Sequence, residues 1–273
     1  MPELPEVERA RAVLAAAALG RRIDAVDDTD TFVCRPHRPG EIAQALHGRR
    51  LTAAHRRGKT LWCETSGVGR SRTPGPTLGL HLGMGGVLLV SPPGGGDAVR
   101  GGDPWPTNTD GRKTWNRFTV DFADRGELVL FDKRRLARVR LEPDIDALGP
   151  DAQHVTDERF AAILAASRAP VKARIMDQSV LAGVGNLLAD EALWQSELRP
   201  ARPAGELTRA EADRLHQALS AAISRAIQRG GVHTGEVIEA RHRDGHCPRC
   251  GAEMVHGTVG GRSTWWCSAE QAG

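Results

Sequence analysis

The chain has 273 residues, enough for one large domain or two ordinary ones. Hydrophobic residues make up 40% of it but aromatics only 4%, with no Tyr, so the core must be built from Leu, Val, Ile and Ala. With 37 Lys and Arg against 34 acids the net charge is +3, which permits a polyanionic partner without demanding one. No apolar run approaches the ~18 residues of a membrane span, and an acidic, Pro-containing N-terminus does not read as a signal peptide.

In chain order, residues 6–19 read as an amphipathic helix stopped by Gly20. Strand-like apolar patterns follow near 21–33, 49–65, 78–90, 116–122 and 127–140, between Gly, Pro and Asp breaks. The stretch 91–114 is rich in Pro and Gly and is predicted as a long loop. After Pro150 helical patterns take over at 157–167, 170–179, 187–196 and 208–229, and Thr208 with Glu211 forms a capping-box pattern at the start of the last helix. The fold class is therefore α+β: a β-rich part at 1–145, a helical part at 146–235 and a Gly-rich, Cys-bearing tail at 236–273.

Three of the five cysteines lie in that tail, which suits a metal site in a reducing compartment better than a disulfide framework. Cys247 and Cys250 form a C-x2-C knuckle, and Cys267 follows sixteen residues later. A second knuckle would put a fourth thiolate at 270, where the chain has Glu270, a possible zinc ligand. His246 and His256 are the other options.

The start, Met1-Pro2-Glu3-Leu4-Pro5-Glu6-Val7-Glu8, calls for a chemical reading. Removal of Met1 would expose the secondary amine of Pro2. An α-amino group titrates near ~8, so a useful neutral fraction exists at cellular pH. Such an amine can attack the anomeric carbon of a sugar, and the product is a cationic iminium that acts as an electron sink.

These residues resemble the start of the formamidopyrimidine-DNA glycosylases, of the formamidopyrimidine glycosylase/endonuclease VIII family. Four further blocks carry the likeness in the same order: His55-Arg-Arg-Gly-Lys59, His81-Leu-Gly-Met84, Asp132-Lys-Arg-Arg-Leu136, and Met176 through Asn186 with Asp190-Glu-Ala-Leu. The ribbon with Gly261-Arg-Ser-Thr completes it. The resemblance implies an N-terminal β-sandwich with a leading helix, a helix–two-turn–helix domain and a zinc-ribbon-like hairpin. It implies a zinc ion on Cys247, Cys250, Cys267 and Glu270, and a cytoplasmic, nucleoid-associated monomer acting on damaged double-stranded DNA.

It also implies roles. Pro2 is the expected nucleophile, Glu3 the general acid/base, and Lys59 a catalytic lysine at the phosphate beside the lesion. Glu6 and Lys172 are expected near the flipped nucleotide. Asn186 opens a helix after Gly183-Val-Gly, where backbone and helix N-terminus suit a phosphate. Met84, Arg134 and Leu136 are expected to fill the hole left by base flipping, and Arg262 to contact DNA from the hairpin tip. The reaction implied is base excision with strand cleavage by β,δ-elimination.

The chain departs from the family pattern at Gly83, Leu136 and Glu270, and around Arg117, where the family has a His. Only residues 232–246 separate Gly230-Gly231 from Cys247, which leaves no room for a long loop that covers 8-oxoguanine. Oxidised pyrimidines, ring-opened purines and bare abasic sites are therefore expected on a par with 8-oxoguanine. An endonuclease VIII-like glycosylase is one alternative. A paralogue that binds abasic DNA without cleaving it is another.

Overall fold

The computed structural model describes residues 2–69, 71–103 and 113–272. They form two compact units: Pro2 with Glu6–Ile145, and Glu3–Pro5 with Asp146–Gly273.

The first unit carries helix α1 (Leu4–Ala17) from Glu6 onward and two antiparallel sheets. One sheet orders β1 (Ile23–Asp27), β7 (Asn116–Phe122), β8 (Glu127–Phe131), β5 (Val87–Val90) and β6 (Val99–Gly102). The other orders β2 (Leu51–Arg57), β3 (Thr60–Thr65), β4 (Leu78–His81) and β9 (Arg138–Leu141). Side chains of both sheets and of α1 share one aliphatic core, with Leu14, Ile23, Leu61, Leu80, Leu88 and Val139 buried in it. Alternation along β7 puts Phe118, Val120 and Phe122 inside, as a half-buried strand requires.

Two elements differ from the sequence reading. Helix α2 (Glu41–Leu46) has no local cap; its first N–H groups are met by Asp28, whose carboxylate accepts from Gly40, Ile42 and Ala43 at 2.7–3.1 Å. Strand β6 lies inside the stretch expected as loop, of which 104–112 fall outside the described residues. Its glycines hid it. A Cβ on Gly101 would stand 2.7 Å from Ala10 Cα, so the bare backbone is what lets α1 pack on this strand.

The second unit is helical. Helices α3 (Asp157–Ala165), α4 (Val171–Met176), α5 (Asn186–Gln195) and α6 (Arg209–Arg229) bury Phe160, Ile175, Leu193, Leu215, Leu219 and Ile223 together. Thr156 caps α3, and the predicted capping box of Thr208 and Glu211 starts α6. The tail adds the hairpin β10 (Met254–Val259) and β11 (Arg262–Cys267), turned by Gly260 and Gly261 at φ 57° and 73°. Trp194, Val237, Cys247, Met254 and Cys267 form its small core, in this same unit.

Candidate functional site

In the helical unit the site is built on the N-terminus of α5. Gly185 precedes that helix and offers no side-chain cap. Glu3 takes the cap's place: its carboxylate accepts from the backbone N–H of Gly185 at 2.9 Å, Leu187 at 2.8 Å and Leu188 at 3.1 Å. Three orphan donors and the positive end of the helix dipole thus hold one buried carboxylate. Leu4 N–H donates to Gly183 O, fixing the approach of the chain. The Gln178 carboxamide shapes the turn, donating to Met176 O and Val184 O and accepting from Gly183 N–H. Asn186 is half-buried at the first position of α5, and its Oδ1 is buried without a hydrogen-bond donor among the described residues.

Lys172, expected near a flipped nucleotide, is 0% exposed. Its Nζ lies 2.6 Å from Asp190 Oδ1 and donates to Thr264 Oγ1 at 2.8 Å and Ser263 O at 3.1 Å. Asp190 also holds Arg241 at 2.8 Å. Burial lowers the Lys172 pKa, and Asp190 only partly offsets this. Asp190 lies in the Asp190-Glu-Ala-Leu block, and its role as the shared partner of Lys172 and Arg241 has no signal in the sequence. Arg262 is exposed at the hairpin tip, directly after the Gly260-Gly261 turn.

In the β unit, Pro2 is buried, and Glu6 is buried in the first turn of α1. Lys59 is half-buried in the two-residue turn between β2 and β3, where Gly58 takes φ 57°. Beside it on β4, His81 accepts the Gly83 N–H on Nδ1 at 3.0 Å, which leaves Nε2 as the N–H of a neutral ring. Burial first, then Lys59 and Arg138, lowers its pKa. A cavity of about 400 Å³ is lined by His81, Thr60, Leu136, Arg138, Arg140 and Asp144.

The Asp132–Leu136 turn is organised by Asp132, which is fully buried. Its carboxylate accepts from the N–H groups of Arg134, Leu136 and Ala137 at 2.7–2.9 Å. Arg117, at the position read as a replaced His, donates from Nε to Asp132 O at 2.7 Å and so supports the same turn. The loss of an Arg at 83 has a steric reason. Gly83 takes φ 61°, and a Cβ there would stand 2.6 Å from Ala137 N. That close approach brings Met84, 42% exposed, beside the exposed Arg134, whose Nη2 lies 3.7 Å from Met84 Sδ. Leu136 is half-buried behind them.

In the tail, the donor atoms of Cys247, Cys250, Cys267 and Glu270 all lie within 4.8 Å of one another. The Cys250 and Cys267 sulfurs are 3.5 Å apart, and Cys247 Sγ is 3.8 Å from Glu270 Oε2. A tetrahedral zinc with Zn–S near ~2.3 Å needs edges of about 3.8 Å, so this set fits the ion. Burial opposes ionisation of Cys247, but backbone N–H groups of Cys250 and Arg249 and the Trp194 indole outweigh it and lower its pKa. Arg249, stacked 4.1 Å over Trp194, steers Glu270 through a 3.0 Å ion pair. His256 instead bonds Ser263 Oγ and stacks on Trp265.

Residues 1–139 match the formamidopyrimidine-DNA glycosylase N-terminal domain, and residues 147–237 match the H2TH domain of the same glycosylases. A formamidopyrimidine-DNA glycosylase of Chloroflexus aggregans is 32% identical over 98% of this chain and 97% of its own. One from Stenotrophomonas maltophilia is 34% identical over 98% of both. The crystal structure of the Lactococcus lactis glycosylase bound non-covalently to DNA with an abasic site is similar at TM-score 0.79 and 26% identity, over 99% of this chain and all of that one. Another structure of that protein, with DNA containing an oxidised pyrimidine, matches at 25% identity and the same TM-score. With both domain models and full-length relatives in agreement, the chain belongs to the formamidopyrimidine-DNA glycosylase family.

Proposed function

We propose that the protein excises damaged bases from double-stranded DNA in base excision repair and then cleaves the strand at the same site. The observation that carries this reading is the Glu3 carboxylate, locked by three N–H donors at the start of α5 and joined by one peptide bond to Pro2.

In the mechanism, the Pro2 amine attacks C1′ of the flipped nucleotide as the C1′–N bond to the base breaks. The Glu3 carboxylate takes the proton that the Pro2 nitrogen sheds as the new C–N bond forms and hands it to the departing base, then relays a proton from water to O4′ as the sugar ring opens. The resulting iminium acidifies the C2′ proton; its loss expels the 3′ phosphate, and a second elimination expels the 5′ phosphate. Lys59 stabilises the phosphate that leaves. Met84, Arg134 and Leu136 take the place of the flipped base, with Arg134 facing its former partner. The Asn186 side chain, at the start of α5, and Arg262 grip backbone phosphates. Zinc on Cys247, Cys250, Cys267 and Glu270 would brace the hairpin that carries Arg262 and takes no part in the chemistry.

The substrate class has its own support. The segment between α6 and Cys247 is short and tied down: Glu191 accepts from Val237 N–H at 3.0 Å, and Asp190 pairs with Arg241. Such a strap favours lesions that need no covering loop, namely abasic sites, ring-opened purines and oxidised pyrimidines. The Lactococcus lactis relative has been crystallised with DNA containing each of the three.

The test is covalent trapping by borohydride on duplexes with an abasic site, thymine glycol or 8-oxoguanine. Trapping on the first two that vanishes in Pro2→Gly is expected. Tight binding without trapping on any duplex would overturn the enzymatic reading.

A further inference from the structure

Phe32 is 42% exposed, yet its ring is ringed by charge. The guanidinium of Arg35 lies 4.1 Å from the ring centroid, that of Arg138 4.8 Å and that of Arg135 5.8 Å. The three are not equally neutralised. Arg135 is held by both oxygens of Asp30, at 3.0 and 2.8 Å. Asp30 also accepts from the N–H groups of Phe32 and Val33, so its capacity is used. Among the described residues, neither Arg35 nor Arg138 has a carboxylate within ion-pair distance; Arg138 donates only to the carbonyls of Ala137 and Arg135. Burial, then Arg35 and Arg140, lowers the Arg138 pKa, the mark of a cation crowded by its own sign.

A guanidinium laid on an aromatic ring keeps its N–H fork free at the edge, which suits bidentate contact with phosphate. Two such forks on one ring can serve neighbouring phosphates of a single strand. The sheet indicates which strand. Thr60, His81 and Arg138 form a row across β3, β4 and β9, each paired with the next. Lys59 adjoins one end of the row and Arg138 is the other, two strand spacings or about 10 Å away. That separation is of groove width. Arg138 also follows Arg134 and Leu136 closely in the chain and shares the cavity wall with Leu136.

We infer that Phe32, Arg35 and Arg138 form a clamp for two adjacent phosphates of the undamaged DNA strand, beside the orphaned base. The inference rests on the DNA-repair reading above for the duplex itself. The clamp adds a grip on the strand that is not cut, and Phe32 acts in it as the platform that orients both guanidiniums.

The experiment measures affinity against salt for a duplex with a tetrahydrofuran abasic analogue, using wild type, R35Q/R138Q and R35K/R138K. The Gln pair should flatten the slope of log K against log salt by about 1.8 and weaken binding about 30-fold at physiological salt. The Lys pair should regain the slope, since it keeps both charges. Neutral methylphosphonates at the two positions flanking the orphaned base should weaken wild type and leave the Gln pair unchanged. That arm decides on wild type alone if the Gln pair fails to fold. A Gln pair with the wild-type slope overturns the clamp, as does a wild type indifferent to those methylphosphonates. Sensitivity only to methylphosphonates in the lesion strand overturns the strand assignment. Borohydride trapping of wild type reports the repair reading separately, so failure of one is distinguishable from failure of the other.

Discussion

Gly185 has no side chain because Glu3 occupies the place where one would be. A Cβ on Gly185 would lie 2.5 Å from Glu3 Oε1 and 2.6 Å from its Cγ. Gly185 has φ −117°, which any residue can adopt, so the constraint is space and not backbone freedom. Gly185→Ala must therefore push Glu3 off the α5 N–H groups. The expected cost is about 1–3 kcal/mol of stability, with borohydride trapping slowed about 100-fold, because a displacement near 1 Å at a reacting group has that effect. A melting curve and a trapping time course on abasic duplex check both; unchanged trapping would remove Glu3 from the chemistry.

Glu3→Gln separates charge from shape. The carboxamide keeps one acceptor oxygen and brings an N–H2 group toward donors that already fill the site. It also loses the anion that complements the helix dipole. A stability loss of about 1–2 kcal/mol is expected. Base release should fall by at least about 100-fold, while strand cleavage of a ready-made abasic site should suffer less. Comparing the two rates on 5-hydroxypyrimidine and abasic duplexes tests this; equal losses would count against an acid role in base departure.

The plug turn depends on Asp132 in the same way. Its carboxylate accepts three N–H groups from within 2.7–2.9 Å, and an amide cannot accept all three. Asp132→Asn should lower stability by about 2–3 kcal/mol, since a buried donor is left unmet. It should weaken binding to lesion duplexes more than to undamaged DNA, because Met84 and Arg134 lose their setting. Equal weakening on both duplexes would argue that the turn does not read the lesion step.

Much of this was legible in the sequence, and what was not has a physical reason. The α6 capping box is local, with donor and acceptor three residues apart, so pattern sufficed. Helix α2 is capped by Asp28 from outside its own segment, which no periodicity reports. Strand β6 ends in Gly101 and Gly102, which read as loop until the packing on Ala10 explains them. The motif residues Lys59, Arg134 and Asn186 stand out by their neighbours in the chain. The pairing of Lys172 with Asp190 does not, because each residue is defined by a partner on another element. Gly83 looked like the loss of an arginine, whereas its positive φ and the backbone at Ala137 demand glycine.

His81 gives a pH signature. Burial, Lys59 and Arg138 all disfavour its cation, and its Nδ1 already accepts the Gly83 N–H. Its folded pKa lies below the unfolded value of about 6.5. The stabilisation from a neutral His81 is therefore complete above that value and is lost as pH falls through the lowered pKa. The ring resonances should titrate below pH 6.5 in the free protein, with the Nε2–H tautomer above it. A pKa at or above 6.5 would contradict the geometry.

The tail makes a metal-dependent prediction. Three thiolates and one carboxylate give zinc a closed set, but Glu270 is shared with Arg249, which weakens it as a ligand. Purified protein should carry one zinc per chain and release it to a strong chelator more readily than Glu270→Cys does. Removal should lower melting of the helical unit, because Cys247 and Cys267 belong to the small core with Trp194 and Val237. Cys34 and Cys63, by contrast, are buried thiols whose pKa values are pushed up to about 12. A thiol reagent at pH 8 should therefore modify only the tail cysteines of the metal-free folded protein. Stoichiometric zinc lost in Cys267→Ser would support the set, and metal-free protein with the same melting point as the loaded form would show that the hairpin holds its shape without an ion.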